Sequence, residues 1–423
     1  MRSRSRGLIV AWLLLLGALA IFVTLVAVLT PWHPLPGASV TPAPLRSYFT
    51  PAQVARSDAF FGEARWPSWL GLLVGVLVAA AVGFTRLGRV LVTGVRRRVR
   101  RWWLQVISLV ALVVVIERLV GLSTDVWSQQ VARSYGLSTQ TWPAWAVDEA
   151  KGLGIAVVTT SFVLLLLVGL ARRFSRTWFL PAAAGAGLLV IVGSFAYPVV
   201  IEPAFNTFTP LPDGRLRTSL LELAHRDHVT VSDVLVANAS ERTTELNAYV
   251  SGFGSTKRIV VYDTLLRSTP DRQIQLIIAH ELGHATHDDV LVGTIEGAVA
   301  AVMAVAGLFI VLRPERLRRP TGAGSMRDPA IVPVVLALAS LAALAALPLQ
   351  DTISRHIEAR ADAHSLDLTS DPADFIKMQQ RLAVTNLTHL DPNPVLSDIF
   401  NDHPPPLDRI GMALAWEHLH GVR

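Results

Sequence analysis

Cysteine is absent from this chain of 423 residues. That excludes disulfides, a zinc–thiolate site and a cysteine nucleophile. Charge is scarce: 17% of residues are Asp, Glu, Lys or Arg, against 52% hydrophobic. With a mean hydropathy of +0.45, the chain is too apolar for a soluble protein and calls for several membrane spans. There is no internal repeat and no long low-complexity tail. Lysine is nearly missing: almost all of the 38 basic residues are arginine, and the net charge is +6. On a soluble chain that balance would raise nucleic acid as a partner. Here the arginines cluster between apolar runs, as in the cytoplasmic loops of membrane proteins, so no nucleic-acid partner is expected.

What is present is long apolar stretches. Residues 8–30 are almost wholly apolar and follow Arg2, Arg4 and Arg6. A cleaved leader is the alternative reading, and the length of the run favours a retained span. Residues 31–66, rich in proline and polar groups, read as a loop. Further runs long enough to cross the hydrocarbon core lie near 67–85, 103–122, 152–171, 179–200, 291–312 and 330–349. Seven spans result. Trp66, Trp69, Trp102, Trp103 and Trp178 stand at span ends, where interfacial aromatics belong. Four segments rich in arginine fall on one side of a seven-span path: the amino terminus, 86–101, 172–176 and 313–327. The positive-inside rule puts that side, with the amino terminus, in the cytoplasm.

Two stretches are not membrane-like. The chain divides into spans one to five (1–200), a polar segment (201–290), spans six and seven (291–349) and a second polar segment (350–423). The two polar segments can build one domain. Arg215–His228 reads as an amphipathic helix, Val229–Ala237 and Lys257–Tyr262 as strands, and Gln350–Leu368 as a helix.

The first polar segment holds His280-Glu281-Leu282-Gly283-His284. Residues four apart share a helix face, so His280 and His284 can present two imidazole nitrogens to one zinc ion. Glu281 sits about 100° round the helix, placed to take a proton from water polarised by the metal. Asp271 is placed to cap the helix start. A catalytic zinc takes three protein ligands. His287 would stretch three ligands over about 10 Å of one helix axis, and Glu296 lies about 18 Å beyond His284 if the helix runs on, so neither shares the ion. The metzincin pattern fails as well, because it needs glycine at 287 and histidine at 290 where this chain has His287 and Val290. Glu358, on a separate helix that can cross the first, is the remaining candidate. Asp362 shares its face four residues on and can accept the free N–H of a ligand histidine.

At this point the sequence resembles the type I CAAX prenyl endopeptidases, membrane zinc proteases of the gluzincin class; bacterial HtpX-like proteases are more distant. The resemblance rests on Glu358 with Ala361-Asp362, on Asn247-Ala248-Tyr249 and Gly252-Phe253, and on Lys257–Leu266. It rests also on Pro203–Asn206, Phe208–Pro212, Gly136–Thr141, and His403-Pro404-Pro405 with Arg409-Ile410. It covers about residues 123–415. It implies a mainly α fold: a chambered barrel of about seven transmembrane helices, capped by a small α+β zincin-like metalloprotease domain. It implies one zinc per chain, an edge strand from Asn247 to Gly254 that binds substrate through Asn247, Ala248, Tyr249 and Gly252, an oxyanion donor in His403, and a brace for that loop in Arg409. Glu296 becomes a chamber-lining residue. Asp402 stands where relatives often carry a small hydroxyl residue.

The expected function is a zinc endopeptidase of the cell membrane acting on a peptide or protein, lipidated or otherwise membrane-associated, with its zinc domain on the non-cytoplasmic face. Two other readings stand beside it. One is a quality-control protease of the HtpX type. The other, from a different class, is a transporter or scaffold with a structural metal site; the scarcity of intramembrane charge argues against an ion pathway.

Overall fold

The computed structural model describes residues 2–421, with side chains from Arg6 onward; those of Arg2 and Arg4 lie outside the described residues. Among the described residues, seven helices are long and apolar enough to span a membrane: Arg6–Leu29, Pro51–Phe84, Trp102–Ser134, Trp142–Arg173, Phe179–Phe205, Asp289–Val311 and Pro329–Thr369. Their packing closes a ring. Span six packs on spans one and five, five on four, four on three, three on two, two on seven, and seven returns to six. From Leu341 to Gln350, all side chains but those of Leu344 and Leu347 are exposed. That stretch is a wall one helix thick with open space on both faces. The result is a polytopic helical barrel.

Three expectations change. Residues 51–66 are helical, not loop: Thr50 and Gln53 form a reciprocal capping box, with Pro51 at the first helical position, so the helix of span two starts early. Gln350–Leu368 is not a separate helix but the end of span seven, which runs unbroken through Pro348 to Thr369. The strand expected from Val229 starts only at Val234.

The basic segments meet at one end of the barrel. Arg89 donates to the carbonyls of Arg319 and Pro320, Arg96 pairs with Asp328, and Arg172 donates to the carbonyl of Arg327. At the other end sits a four-stranded sheet: β1 (Phe208–Pro210), β2 (Val234–Ala237), β3 (Ala248–Ser251) and β4 (Arg258–Tyr262), in the order β1-β2-β4-β3. β2 and β4 run parallel, and β3 pairs antiparallel with β4, leaving β3 at an edge. The apolar face of the helix Arg215–Arg226 (Leu220, Leu223) and the interior of β4 (Ile259, Val261) bury against Leu276 and Ile278 of the helix Asp271–Thr286, which carries the histidine motif. Phe375, Met412 and Trp416 from the carboxy-terminal segment complete this core. The two polar segments therefore share one apolar interior.

Loops from the barrel clasp this domain. Thr139 N–H donates to Arg242 O (3.1 Å) and Thr244 N–H to Leu137 O (2.9 Å). The segment after span one lies across the last helix, Pro406–His420, with Ala43 N–H bonded to Leu407 O at 2.9 Å. Gly411 makes that contact possible, because a Cβ there would sit 2.0 Å from the Thr41 carbonyl oxygen. Gly411→Ala is therefore expected to destabilise the protein by ~1–3 kcal/mol through overpacking. It should also raise proteolytic cleavage within residues 31–50, read by thermal unfolding and limited proteolysis in detergent.

Candidate metal centre

Where the motif helix crosses the end of span seven, the fit is close. A Cβ on Gly283 would lie 3.1 Å from the His364 ring, so only a glycine lets the two helices approach this far without displacing it. Ser365 Oγ donates to Leu276 O (2.8 Å) across the same crossing. The crossing brings Glu358 onto the two histidines. His280 Nε2 and His284 Nε2 face each other at 3.2 Å; Glu358 places Oε2 3.2 Å from the first and Oε1 3.4 Å from the second. One ligand atom from each of the three lies within 4.8 Å of the others. Tetrahedral zinc with bonds of ~2.0–2.2 Å separates neighbouring ligand atoms by about 3.3–3.5 Å. Glu358 Oε2 is buried without a hydrogen bond. A bound cation satisfies that orphaned oxygen, so the residues present fit a metal.

Around this trio stand further carboxylates and arginines. His280 Nδ1 is 2.9 Å from Asp362 Oδ1, and Asp362 receives a forked pair from Arg409: Nε to Oδ2 at 2.7 Å and an Nη to Oδ1 at 2.5 Å. Arg409 thus braces Asp362 and not the His403 loop. His284 Nδ1 is 2.9 Å from Asp289 Oδ2, and Asp289 in turn pairs with Arg360. Sequence reasoning did not find Asp289 or Arg360. On an unbroken helix Asp289 would point about 140° away from His284. It returns because Asp288 adopts a left-handed conformation, φ 52°, which ends one helix and starts span six.

The remaining residues fall into place unevenly. His403 is half-exposed; its Nε2 lies 3.4 Å from Glu358 Oε2 and its Nδ1 2.9 Å from Asp402 Oδ1. The Asp402 hydrogen bond raises the His403 pKa, with the Glu358 charge adding to it and burial opposing. Asp402 is thus joined to His403. Asn247, His280, Glu281, Glu358 and His403 line one open cavity of about 950 Å³. Ala248 is buried in the domain core, while Tyr249 packs edge-on against Tyr262, where burial pushes its hydroxyl pKa up. Gly252 ends the edge strand at φ 97°. Of these four strand residues, then, Asn247 lines the cavity. His287 bonds to Gly283 O (2.8 Å) and packs against His364, apart from the trio, and Glu296 is buried in span six. The expected cap is absent: Asp271 is the first helical residue, and Pro270 precedes it with no side-chain bond.

Burial disfavours charge on both imidazoles, yet their partners outweigh it. The hydrogen bond to Asp362 and the adjacent Glu358 carboxylate raise the His280 pKa, and the hydrogen bond to Asp289 with the same carboxylate pushes His284 up to about 10. Burial pushes the Glu281 carboxyl up, while the neighbouring histidines pull the other way. Without a metal, imidazole protons compensate the clustered carboxylates. A divalent ion must displace them, because a protonated nitrogen cannot ligate. Affinity should therefore rise with pH from 6 towards 9, below the raised His284 value, with protons released on binding. Calorimetric titration of the metal-free protein in two buffers of different ionisation enthalpy measures this; buffer-independent heats at pH 7 would contradict it.

Comparison with known proteins agrees with this geometry. Residues 210–417 match the model of peptidase family M48, and residues 37–207 match that of the CAAX prenyl protease N-terminal region, described as five membrane helices. The chain is 34% identical over 334 residues to the uncharacterized metalloprotease YhfN of Bacillus subtilis, covering 76% of this chain and 78% of that one. It is 28% identical to a CAAX prenyl protease 1 homolog of Arabidopsis thaliana (73% of each chain). It is 26% identical to CAAX prenyl protease 1 of Saccharomyces cerevisiae (70% of this chain, 69% of that one). The crystal structure of S. mikatae Ste24p shares the fold: TM-score 0.75 at 22% identity, covering 95% of this chain and 98% of that one. The chain belongs to the CAAX prenyl proteases of peptidase family M48, and is a multi-pass membrane metalloprotease.

Proposed function

We propose that the protein is a zinc-dependent endopeptidase in which His280, His284 and Glu358 hold the ion and Glu281 is the general base. The single observation that carries this reading is the convergence of two imidazole nitrogens 3.2 Å apart on the Glu358 carboxylate, whose Oε2, buried and without a hydrogen bond, lies 3.2 Å from His280 Nε2 and whose Oε1 lies 3.4 Å from His284 Nε2. When bound, zinc supplies a Lewis acid that polarises a carbonyl and lowers the pKa of water towards ~7. Glu281, its basicity enhanced by burial, takes the proton of the attacking water and passes it to the leaving amine nitrogen. His403, its pKa raised by the hydrogen bond to Asp402, is placed to donate its Nε2–H to the oxyanion that develops on the scissile carbonyl. Asp362 fixes the His280 tautomer, and Arg409 fixes Asp362. The open edge of β3 supports binding of substrate as an added strand, through main-chain hydrogen bonds that require no particular side chain.

The substrate is a peptide or protein at the bilayer. Prenylated substrates are suggested by the names of the relatives alone; a protease of damaged membrane proteins uses the same site without that preference. The family membership disfavours the transporter reading. We place the arginine-rich end in the cytoplasm of a cell-membrane protein and the zinc domain outside, on the charge distribution.

Glu281→Gln should retain zinc and lose hydrolysis by ~10²–10⁴-fold or more. Zinc content and turnover of an unfolded peptide measure this, and peptides retained by the variant identify the substrate class; full turnover would remove Glu281 from the mechanism. For orientation, Ser370→Cys should label from outside intact cells and Ser325→Cys should be protected. The reverse pattern would invert the topology.

A further inference from the structure

Asp289 and Arg360 are not part of the mechanism above, yet they sit one contact from it. Asp289 Oδ2 is 2.9 Å from His284 Nδ1, and its Oδ1 pairs with Arg360. The Asp289 side chain is 10% exposed and that of Arg360 20%. A buried carboxylate with both oxygens engaged, one on an arginine and one on an imidazole, has a fixed orientation. The residue holding it is the first of span six, Asp289–Val311, and the arginine lies on the end of span seven, two residues after Glu358.

We propose that Asp289 is a positioning residue for the metal, locked by Arg360, and that this pair makes the hold of His284 on the ion depend on how spans six and seven are seated. The inference rests on the metal reading above. Three observations carry it. The carboxylate can accept the Nδ1–H of His284, which leaves Nε2 as the free ligand atom facing His280 and Glu358. The turn that brings Asp289 back is built for the purpose: Asp288 takes φ 52°, and Lys257 tethers it, with Nζ 3.5 Å from Asp288 Oδ1 and 2.9 Å from Ala285 O. Finally, the contact joins three elements at one point: the motif helix, span six and span seven. Asp362 does the corresponding work for His280, but from the helix that already carries Glu358. Asp289 alone of the two ties a ligand histidine to another span.

The test uses full-length protein in detergent with the variants Asp289→Ala, Asp289→Asn, Arg360→Ala and the double Asp289→Ala/Arg360→Ala. Zinc affinity is read by chelator competition. The ligand field is read from the visible spectrum of the cobalt(II)-loaded protein, and stability from thermal unfolding of the metal-free form. Asp289→Ala is expected to weaken zinc binding ~10–100-fold and to alter the cobalt spectrum. Asp289→Asn and Arg360→Ala should each show a smaller loss, and the double variant should lose no more than Asp289→Ala. A purely structural role would instead lower metal-free stability and leave the cobalt spectrum unchanged, which overturns the proposal. If Asp289→Ala does not fold, the near-isosteric Asp289→Asn decides: zinc affinity and cobalt spectrum both equal to wild type overturn the inference alone. A wild-type protein that takes up no divalent ion overturns the metal reading itself.

Discussion

The crossing of two helices at Gly283 is the constraint on which this structure depends. His280 and His284 lie one turn apart on one helix and need nothing but helical geometry to converge. Glu358 comes from a helix 74 positions further along the sequence and arrives only if the backbones approach closely. A glycine under the His364 ring and a hydrogen bond from Ser365 to Leu276 O fix that distance and its register. The apolar core of Leu276, Ile278, Ile259 and Phe375 supplies the force that holds the crossing shut. An error of about 1 Å there would matter, because metal–ligand distances tolerate only ~0.2 Å.

Electrostatics then sharpens what packing has placed. Each ligand imidazole leans on an aspartate, and each aspartate on an arginine: Asp362 on Arg409, Asp289 on Arg360. Burying carboxylates this close together is unfavourable unless cations accompany them. The two arginines compensate the outer pair. Glu358 is left with one oxygen unbonded, and the histidines with pKa values that favour protons. The same features that would destabilise an empty pocket suit it to a divalent ion. Asp402 belongs to this pattern, since its carboxylate beside His403 raises the imidazole pKa at the rim of the same cavity.

Much of this was legible in the sequence, and the parts that were not share a cause. Apolar run lengths gave seven spans, and the spacing of His280 and His284 gave a metal motif, because both follow from local periodicity. Glu358 and Asp362 were reachable because i,i+4 spacing is also local. Asp289 was not, since its approach to His284 depends on one residue, Asp288, adopting a left-handed backbone that nothing in its neighbours announces. Composition marks the stretch from Pro51 as loop, but the Thr50–Gln53 cap starts a helix there. The merging of Gln350–Leu368 into span seven was hidden by the change from apolar to polar composition, which marks a change of surroundings and not a break in the backbone.

That continuity has a consequence for how the enzyme is built. Glu358, the proposed third ligand, stands on the same continuous helix as the wall of the barrel, and the motif helix leads through a single tight turn into span six. No long loop therefore separates the histidine–glutamate trio from spans six and seven. Clasps at 41–43 and 137–139 tie the remaining faces of the domain to span ends. A tilt of span seven would therefore reach Glu358 along one continuous helix, and a tilt of span six would reach His284 through Asp289. A site organised this way ties its side chains to the seating of spans six and seven, through Glu358 on one and Asp289 on the other.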